Sequence, residues 1–272
     1  MLTRSGILAF LILGFGQSVW AGLLAINLRT SPAIPWAVAA MSLVLWLMWQ
    51  YLGGKWWPHS TWEVRHRYLR AKLTSRQVFG WALLAGALSI VALAGYWIVM
   101  FQIVKMPGNV LPDTSRYPSL TVTLMLVMAS LVSPLSEEAA FRGYCQVILE
   151  QEFRGPAAVV ISSVFFALAH TTHGVLWPKL LVYFLAGVMF GVTAYLTKSI
   201  LPGIVVHIIA DLTFFTLVWP YDTARRLVGE GGADEWFWTH AVQAIIFTIL
   251  GILVFSRLAR ITGSVRADAN HK

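Results

Sequence analysis

The sequence has little charge, few acidic residues and one cysteine, and these shortages exclude several classes of protein. Charged residues make up 12% of the 272 positions, about half the fraction found in soluble domains, whereas 58% of the residues are hydrophobic. The single cysteine, Cys145, excludes an internal disulfide and a cysteine-based zinc site, and we expect it to be a small packing residue. The composition predicts an integral membrane protein without a sizeable soluble domain.

The net charge of +8 does not indicate a nucleic-acid partner. Basic residues cluster in loops and at the C-terminus, which is the pattern of the positive-inside rule for membrane proteins. We therefore expect the lipid bilayer to be a partner of this chain, and we expect no nucleic acid.

Apolar runs predict an all-α fold, a polytopic transmembrane helical bundle of about eight spans in a single membrane domain, 1–272. A span needs about 20 apolar residues, and the chain has room for eight of them. The first run follows Met1 and resembles a signal peptide, but it is long for one, so we expect a retained span. The predicted segments are 5–28, 33–53, 78–103, 119–149, 156–170, 179–197, 200–219 and 238–256.

Loop charges predict the orientation of the spans. Segment 54–77 carries six basic residues against Glu63, and the C-terminal tail carries four, including Lys272, against Asp268. Both should be cytoplasmic, and loop 220–237, with four acids and two arginines, suits the outer face. Eight spans with both termini cytoplasmic satisfy all three conditions.

The fourth segment, 119–149, is too long for one plain span. Its length as a single helix would be about 46 Å, compared with a hydrocarbon core of ~30 Å. Pro134 lies in its middle, so the sequence predicts a kink or a new helix there, with Ser133 as the cap. Glu137 and Glu138 would then lie near a helix N-terminus, which favours carboxylates.

This segment also carries an unusual group of ionisable residues. Of the twelve acids in the chain, only Glu137, Glu138 and Asp211 lie within apolar segments, where ionisable side chains are costly and mark functional sites. Glu138 and Arg142 are four residues apart on one helix face and should neutralise each other. Glu137 is left to face a polar cavity as a general base. The alternative is a purely structural charge cluster.

Two further apolar segments carry candidate polar groups. His170 ends the fifth segment, where a lone histidine is as often interfacial as catalytic. His207 and Asp211, four residues apart in the seventh segment, share a helix face. They form either a structural pair or two groups directed into one site. Rough depths along the helices allow Glu137, His170, His207 and Asp211 to share one polar pocket that opens toward the cytoplasm.

Three motifs in this order resemble those of the CPBP intramembrane proteases, the family of the type II CAAX prenyl endopeptidases and many bacterial Abi proteins. They are Glu137-Glu138-Ala-Ala-Phe-Arg142, Phe166-Ala-Leu-Ala-His170 and His207-Ile-Ile-Ala-Asp211. The resemblance covers about 119–220, the expected catalytic core. The last motif often ends in Asn in the prenyl proteases, whereas Asp211 stands here.

The resemblance implies an endopeptidase that cleaves a membrane-associated protein or peptide. Glu137 and His170 would activate a water, while His207 and Asp211 would stabilise the oxyanion or orient its donors, with Glu138 and Arg142 as supporting residues. We favour this mechanism without a cofactor. The alternative is a zinc ion held by Glu137, His170 and His207.

Two other functions remain open at this stage. A proton- or ion-coupled transporter could use the same acids and histidines, and uptake driven by a proton gradient would distinguish it. A non-catalytic scaffold or bacteriocin-immunity protein would still work after Glu137 and His170 are replaced. The expected location is a bacterial inner membrane.

Overall fold

A computed structural model describes residues 1–108 and 114–270, and the predicted all-α fold is confirmed in that part of the chain, where every regular element is helical. The fold falls into two compact units. Unit one comprises Met1–Ala71 and Pro112–Arg154, and unit two comprises Lys72–Leu111 and Gly155–Lys272, each in its described residues. The prediction of a single domain over 1–272 stays a prediction.

Unit one contains the helix that carries the two adjacent glutamates. That helix changes from α to π geometry at Glu138 and returns to α geometry at Gln146. The helices of unit one are α1 (Leu2–Thr30), α2 (Trp36–Leu52), α3 (Trp62–Leu69), α5 (Ser119–Glu137), the π-helix (Glu138–Cys145) and α6 (Gln146–Leu149).

Unit two contains the helices that carry the histidines. His170 follows the end of α7, and His207 lies within α9, which continues through a π turn and a 3₁₀ turn to Ala224. The helices of unit two are α4 (Arg76–Ile103), α7 (Gly155–Ala169), α8 (Trp177–Thr197), α9 (Leu201–Thr213), the short α10 (Val228–Gly231) and α11 (Glu235–Asn270).

Within the described residues, seven helical runs are long and apolar enough to cross a membrane, so this is a multi-pass integral membrane protein. α2 is a shorter apolar helix of 17 residues, at the lower end of the length that spans a bilayer. The predicted eight spans require α2 as the eighth. Lys272 of the predicted cytoplasmic tail lies outside the described residues, and the orientation of the termini stays a prediction.

The predicted new helix at Pro134 is wrong. α5 runs through Pro134 without interruption, and Ser133 is not a helix cap. A proline inside a membrane helix removes one backbone donor, and neighbouring groups can compensate for that loss. The glutamates therefore do not lie at a helix N-terminus. They lie where α5 passes into the π-helix.

A buried core holds α4, α8 and the segment after α9 together in unit two. Trp97 is 1% exposed, and its indole Nε1 donates to both carboxylate oxygens of Asp222 at 3.0 and 3.2 Å. Arg225 donates to the same carboxylate at 3.3 Å. Gly187 lets α8 approach α7, because a Cβ there would lie 3.0 Å from the Cβ of Ser163. These contacts fix the helices that carry the histidines.

Candidate active site

The π-helix is the distinctive local feature of the glutamate motif. It covers Glu138–Cys145, and all eight of its residues are buried. π turns are rare and occur frequently at functional sites. Sequence periodicity could not reveal it, because the apolar pattern of this segment also fits an ordinary α-helix.

Glu138 and Arg142 lie together inside unit one. Arg142 Nη1 is 3.4 Å from Glu138 Oε1, and the two side chains are 0–1% exposed. An ion pair that has lost its water is held by close geometry and additional polar contacts, and loss of one partner leaves a buried charge. The spacing of four residues had predicted this pairing.

Glu137 is also buried, at 4% exposure, and it faces the preceding turn of α5. Ser133 Oγ donates a hydrogen bond to Glu137 Oε1 at 2.6 Å. Sequence reasoning had assigned Ser133 to a helix cap and missed this contact. The sequence did contain a signal for this hydrogen bond, because Ser133 and Glu137 are four positions apart and share a helix face.

The C-terminal end of the glutamate helix is anchored to α2 and α3 within unit one. Tyr144 donates its hydroxyl proton to the carbonyl of Leu52 at 2.8 Å. A Cβ on Gly143 would lie 3.0 Å from the carbonyl oxygen of Tyr68, so the helix and the end of α3 pack backbone to backbone. Arg70 forms a two-pronged ion pair with Glu150. These contacts hold the segment that carries Glu137 and Glu138 in a fixed position.

In unit two, His170 has a defined tautomer. Its Nδ1 lies 2.8 Å from the carbonyl oxygen of Phe166, and a carbonyl can only accept, so Nδ1 carries the proton. In a neutral imidazole Nε2 then carries the lone pair and can act as a base or a ligand. The ring stacks on Tyr183 with centroids 4.2 Å apart.

His207 has a similar aromatic support. Its ring is 5% exposed and stacks on Phe190 with centroids 4.3 Å apart. Phe166 contacts both histidines, with centroids 4.6 Å from His170 and 6.0 Å from His207. The structure therefore brings His170 and His207 into contact with the same buried phenylalanine.

Asp211 lies beside His207 but farther away than a hydrogen bond allows. His207 Nε2 and Asp211 Oδ1 are 3.7 Å apart, which is close enough for electrostatic attraction but beyond the usual hydrogen-bond distance. In this geometry Asp211 does not fix the tautomer of His207 by a direct hydrogen bond.

The two stacking partners of the histidines were missed by sequence reasoning. Tyr183 and Phe190 are seven positions apart on α8, which places them on one helix face. That spacing was visible in the sequence, but aromatic residues at helical spacing are common in any apolar core. Only the structure connects each ring with a histidine.

The backbone hydrogen bond and the ring stacking of His170 also occur at His240. Its Nδ1 lies 2.7 Å from the carbonyl oxygen of Trp236, and its ring stacks on that of Trp236. His240 belongs to none of the three motifs, so it offers a matched control for His170.

In its described residues, neither unit alone supplies the three ligands of a metal ion. Among the described residues, neither unit groups three His, Cys, Asp or Glu side chains as a metal site would require. Glu137 belongs to unit one, whereas His170 and His207 belong to unit two. The alternative zinc site predicted from the resemblance thus has no complete ligand set within either unit.

A comparison with protein families finds a match for the segment that carries the three motifs. Residues 119–213 match the family described as type II CAAX prenyl endopeptidase Rce1-like. This range contains all three motifs. The predicted resemblance to the CPBP family is confirmed over this segment.

A relative that is named as a CAAX protease supports the same class. The chain is 28% identical over 151 residues to the membrane-embedded CAAX protease MroQ of Staphylococcus aureus (strain USA300), and the match covers 53% of this chain and 59% of the relative. The match therefore spans about three fifths of that protein's length. No solved structure matches this chain.

Close packing of α1 against the glutamate helix gives a first test. A Cβ on Gly16 would lie 2.2 Å from Ser136 Oγ, next to Glu137. We predict that Gly16→Ala lowers the free energy of unfolding by about 1–3 kcal/mol through overpacking, measured by thermal or denaturant unfolding in detergent.

The matched control is Gly14→Ala in the same helix. No atom lies within 4 Å of a Cβ at Gly14, so alanine there should leave stability unchanged or raise it by up to ~1 kcal/mol. Equal stability of the two variants would contradict the close approach at Gly16.

The stacking of His170 on Tyr183 gives a second test, by nuclear magnetic resonance of labelled histidines. Tyr183→Leu should remove the ring-current shift from the His170 resonances and cost about 0.5–1.5 kcal/mol of stability, whereas Tyr183→Phe should keep both. The His240 resonances provide an internal reference. His170 resonances that are the same in Tyr183→Leu as in the unchanged protein would show that the rings do not stack.

Proposed function

We propose that the protein is an intramembrane endopeptidase that hydrolyses a peptide bond in a membrane-associated protein or peptide. The observation that carries the proposal is the buried Glu137 beside the Glu138–Arg142 pair. Glu137, Glu138 and Arg142 are all buried, and ionisable side chains in an apolar membrane segment are costly and mark functional sites. The match of the same segment to the Rce1-like family supports this reading.

In the proposed reaction, Glu137 and His170 act on one water molecule. The water oxygen attacks the peptide carbonyl carbon while its proton passes to the Glu137 carboxylate, as in general base catalysis. The same proton then passes to the leaving nitrogen as the carbon–nitrogen bond breaks. One water and one peptide bond give a carboxylic acid and an amine, and no other reactant is needed.

His170 would accept a hydrogen bond from the attacking water. Its Nδ1 proton is committed to the carbonyl of Phe166, so Nε2 is the acceptor. Tyr183 and Phe166 hold the plane of the ring, which limits the rotation that would misplace Nε2. A positioned acceptor contributes to rate because its orientation is set before reaction.

His207 would stabilise the negative charge that develops on the substrate oxygen. An N–H of its imidazole would donate to the oxyanion, and Asp211 lies beside the ring, with Oδ1 3.7 Å from Nε2. The side chains of Phe166 and Phe190 exclude water from one side of His207, and low polarity strengthens such an interaction.

We further propose that the substrate is a peptide close to the membrane surface, with a prenylated CAAX-type peptide as the first candidate. MroQ is a CAAX protease by name, and the matching family is that of prenyl endopeptidases. The proposed location is a bacterial inner membrane.

The direct test is cleavage of a fluorogenic CAAX-type peptide, with and without its prenyl group, by purified protein in detergent or proteoliposomes. We expect Glu137→Gln to lower kcat by about 10²–10⁴, the range of general acid–base catalysis, and His170→Asn to lower it strongly as well. Faster cleavage of the prenylated peptide would identify the substrate class.

Two matched variants serve as controls. Glu152→Gln changes an exposed glutamate of unit one, and His240→Asn changes a histidine with the same backbone hydrogen bond as His170. Both should retain the original rate. Cleavage by Glu137→Gln at the rate of the unchanged protein would refute the role of Glu137. If neither peptide is cleaved by the unchanged protein, the proposed substrate class is wrong.

A further inference from the structure

An apolar groove lies between α1 and α2 in unit one, outside the catalytic motifs. Its volume is about 410 Å³, within the ~300–1,000 Å³ of typical ligand pockets. We call it the α1–α2 groove, and its lining is almost wholly apolar, including Leu11, Phe15, Val44, Leu47, Met48 and Trp56.

The groove has a length that suits a lipid chain. On α2 it extends from Val44 to Leu52, a rise of about 12 Å. This length is close to the depth of one leaflet, half of a hydrocarbon core of ~30 Å. The groove ends beside Trp56 in the loop after α2, and tryptophan is common at the membrane–water interface.

The same end of the groove is positively charged. Arg65 is buried and donates to the carbonyls of Tyr51, Trp56 and Pro58, two of which belong to groove residues. Its guanidinium carbon lies 4.6 Å from the centre of the Tyr51 ring. In the described part of unit one, no carboxylate lies within ion-pair distance of Arg65, and its buried Nε has no hydrogen-bond partner.

Neighbouring basic residues increase this charge. Lys55, beside Trp56 in the loop after α2, and Arg67 on α3 are exposed, and Glu63 on α3 is the one acid between them. Three positive charges thus stand against one negative charge, after Arg70 is neutralised by Glu150. This end of the groove attracts an anion at the membrane surface.

We propose that the α1–α2 groove binds an anionic glycerophospholipid, with one acyl chain in the groove and the phosphate near Lys55, where Arg67 adds to the positive potential. A neutral lipid would satisfy the apolar lining but not the excess charge. A soluble anion would satisfy the charge but not the lining. The two features together favour a ligand that carries a long hydrocarbon chain and a negative head group.

The test is native mass spectrometry of the full chain in detergent, titrated with phosphatidylglycerol or with phosphatidylcholine of the same acyl chains. We expect tighter binding of phosphatidylglycerol. Lys55→Gln with Arg67→Gln should weaken its binding about thirtyfold, at ~1 kcal/mol per basic residue, and should remove the preference. The exposed Arg116, which is distant in sequence, provides the control Arg116→Gln, which should have no effect.

The groove itself is tested by Leu47→Trp, which fills it, compared with Leu43→Trp. Leu43 is exposed on the same helix and does not line the groove. Leu47→Trp should abolish tight binding of both lipids, whereas Leu43→Trp should not. Thermal unfolding of both variants checks that they fold. The exposed lysine and arginine variants test the proposal even if Leu47→Trp does not fold.

Three outcomes would overturn the proposal. The first is equal binding of the two lipids by the unchanged protein. The second is phosphatidylglycerol binding that survives Leu47→Trp, which would place the lipid elsewhere. The third concerns a prenylated peptide. If Leu47→Trp blocks the binding of that peptide but not the binding of phosphatidylglycerol, the groove belongs to the substrate chain.

Discussion

The buried ion pair of Glu138 and Arg142 is the interaction on which the rest of unit one depends. Two charges that have left water are tolerated because they lie side by side, and either one alone would be strongly destabilising. The pair must also be shielded, which explains the close contacts around it. Gly143 packs against the backbone of α3, and Tyr144 binds the carbonyl of Leu52. Glu137 gains its fixed position from a helix held in this way.

Unit two holds the imidazoles of His170 and His207 in an apolar environment. Aromatic rings support them from the side, and backbone or carboxylate groups face their nitrogens. Phe166 is shared by both histidines, so a change in its position would move His170 and His207 together.

Much of the fold could be predicted from the sequence, because the length of apolar runs is a strong signal in a membrane protein. The predicted segment 78–103 is close to α4 at Arg76–Ile103, and 33–53 is close to α2 at Trp36–Leu52. The pairing of Glu138 with Arg142 followed from a spacing of four. Pro134 misled the prediction, because proline breaks helices in water more consistently than in a packed membrane bundle.

The remaining details depend on contacts between segments distant in the chain, which a single sequence does not specify. The π-helix and the stacking of Tyr183 and Phe190 on the histidines belong to this group, as does the approach of Gly16 to Ser136. Local patterns at these positions were equally compatible with ordinary core packing. The meeting of Glu137 with the histidines stays a prediction.

The most direct measurement of the central claim is the cleavage rate of the double variant Glu137→Gln/His170→Asn beside the two single variants. If both side chains act on one water, their effects are not additive, as is usual for residues that work as a unit. The double variant should then be about as slow as the slower single variant. Rate losses that multiply would show that the two residues act independently and would contradict the account.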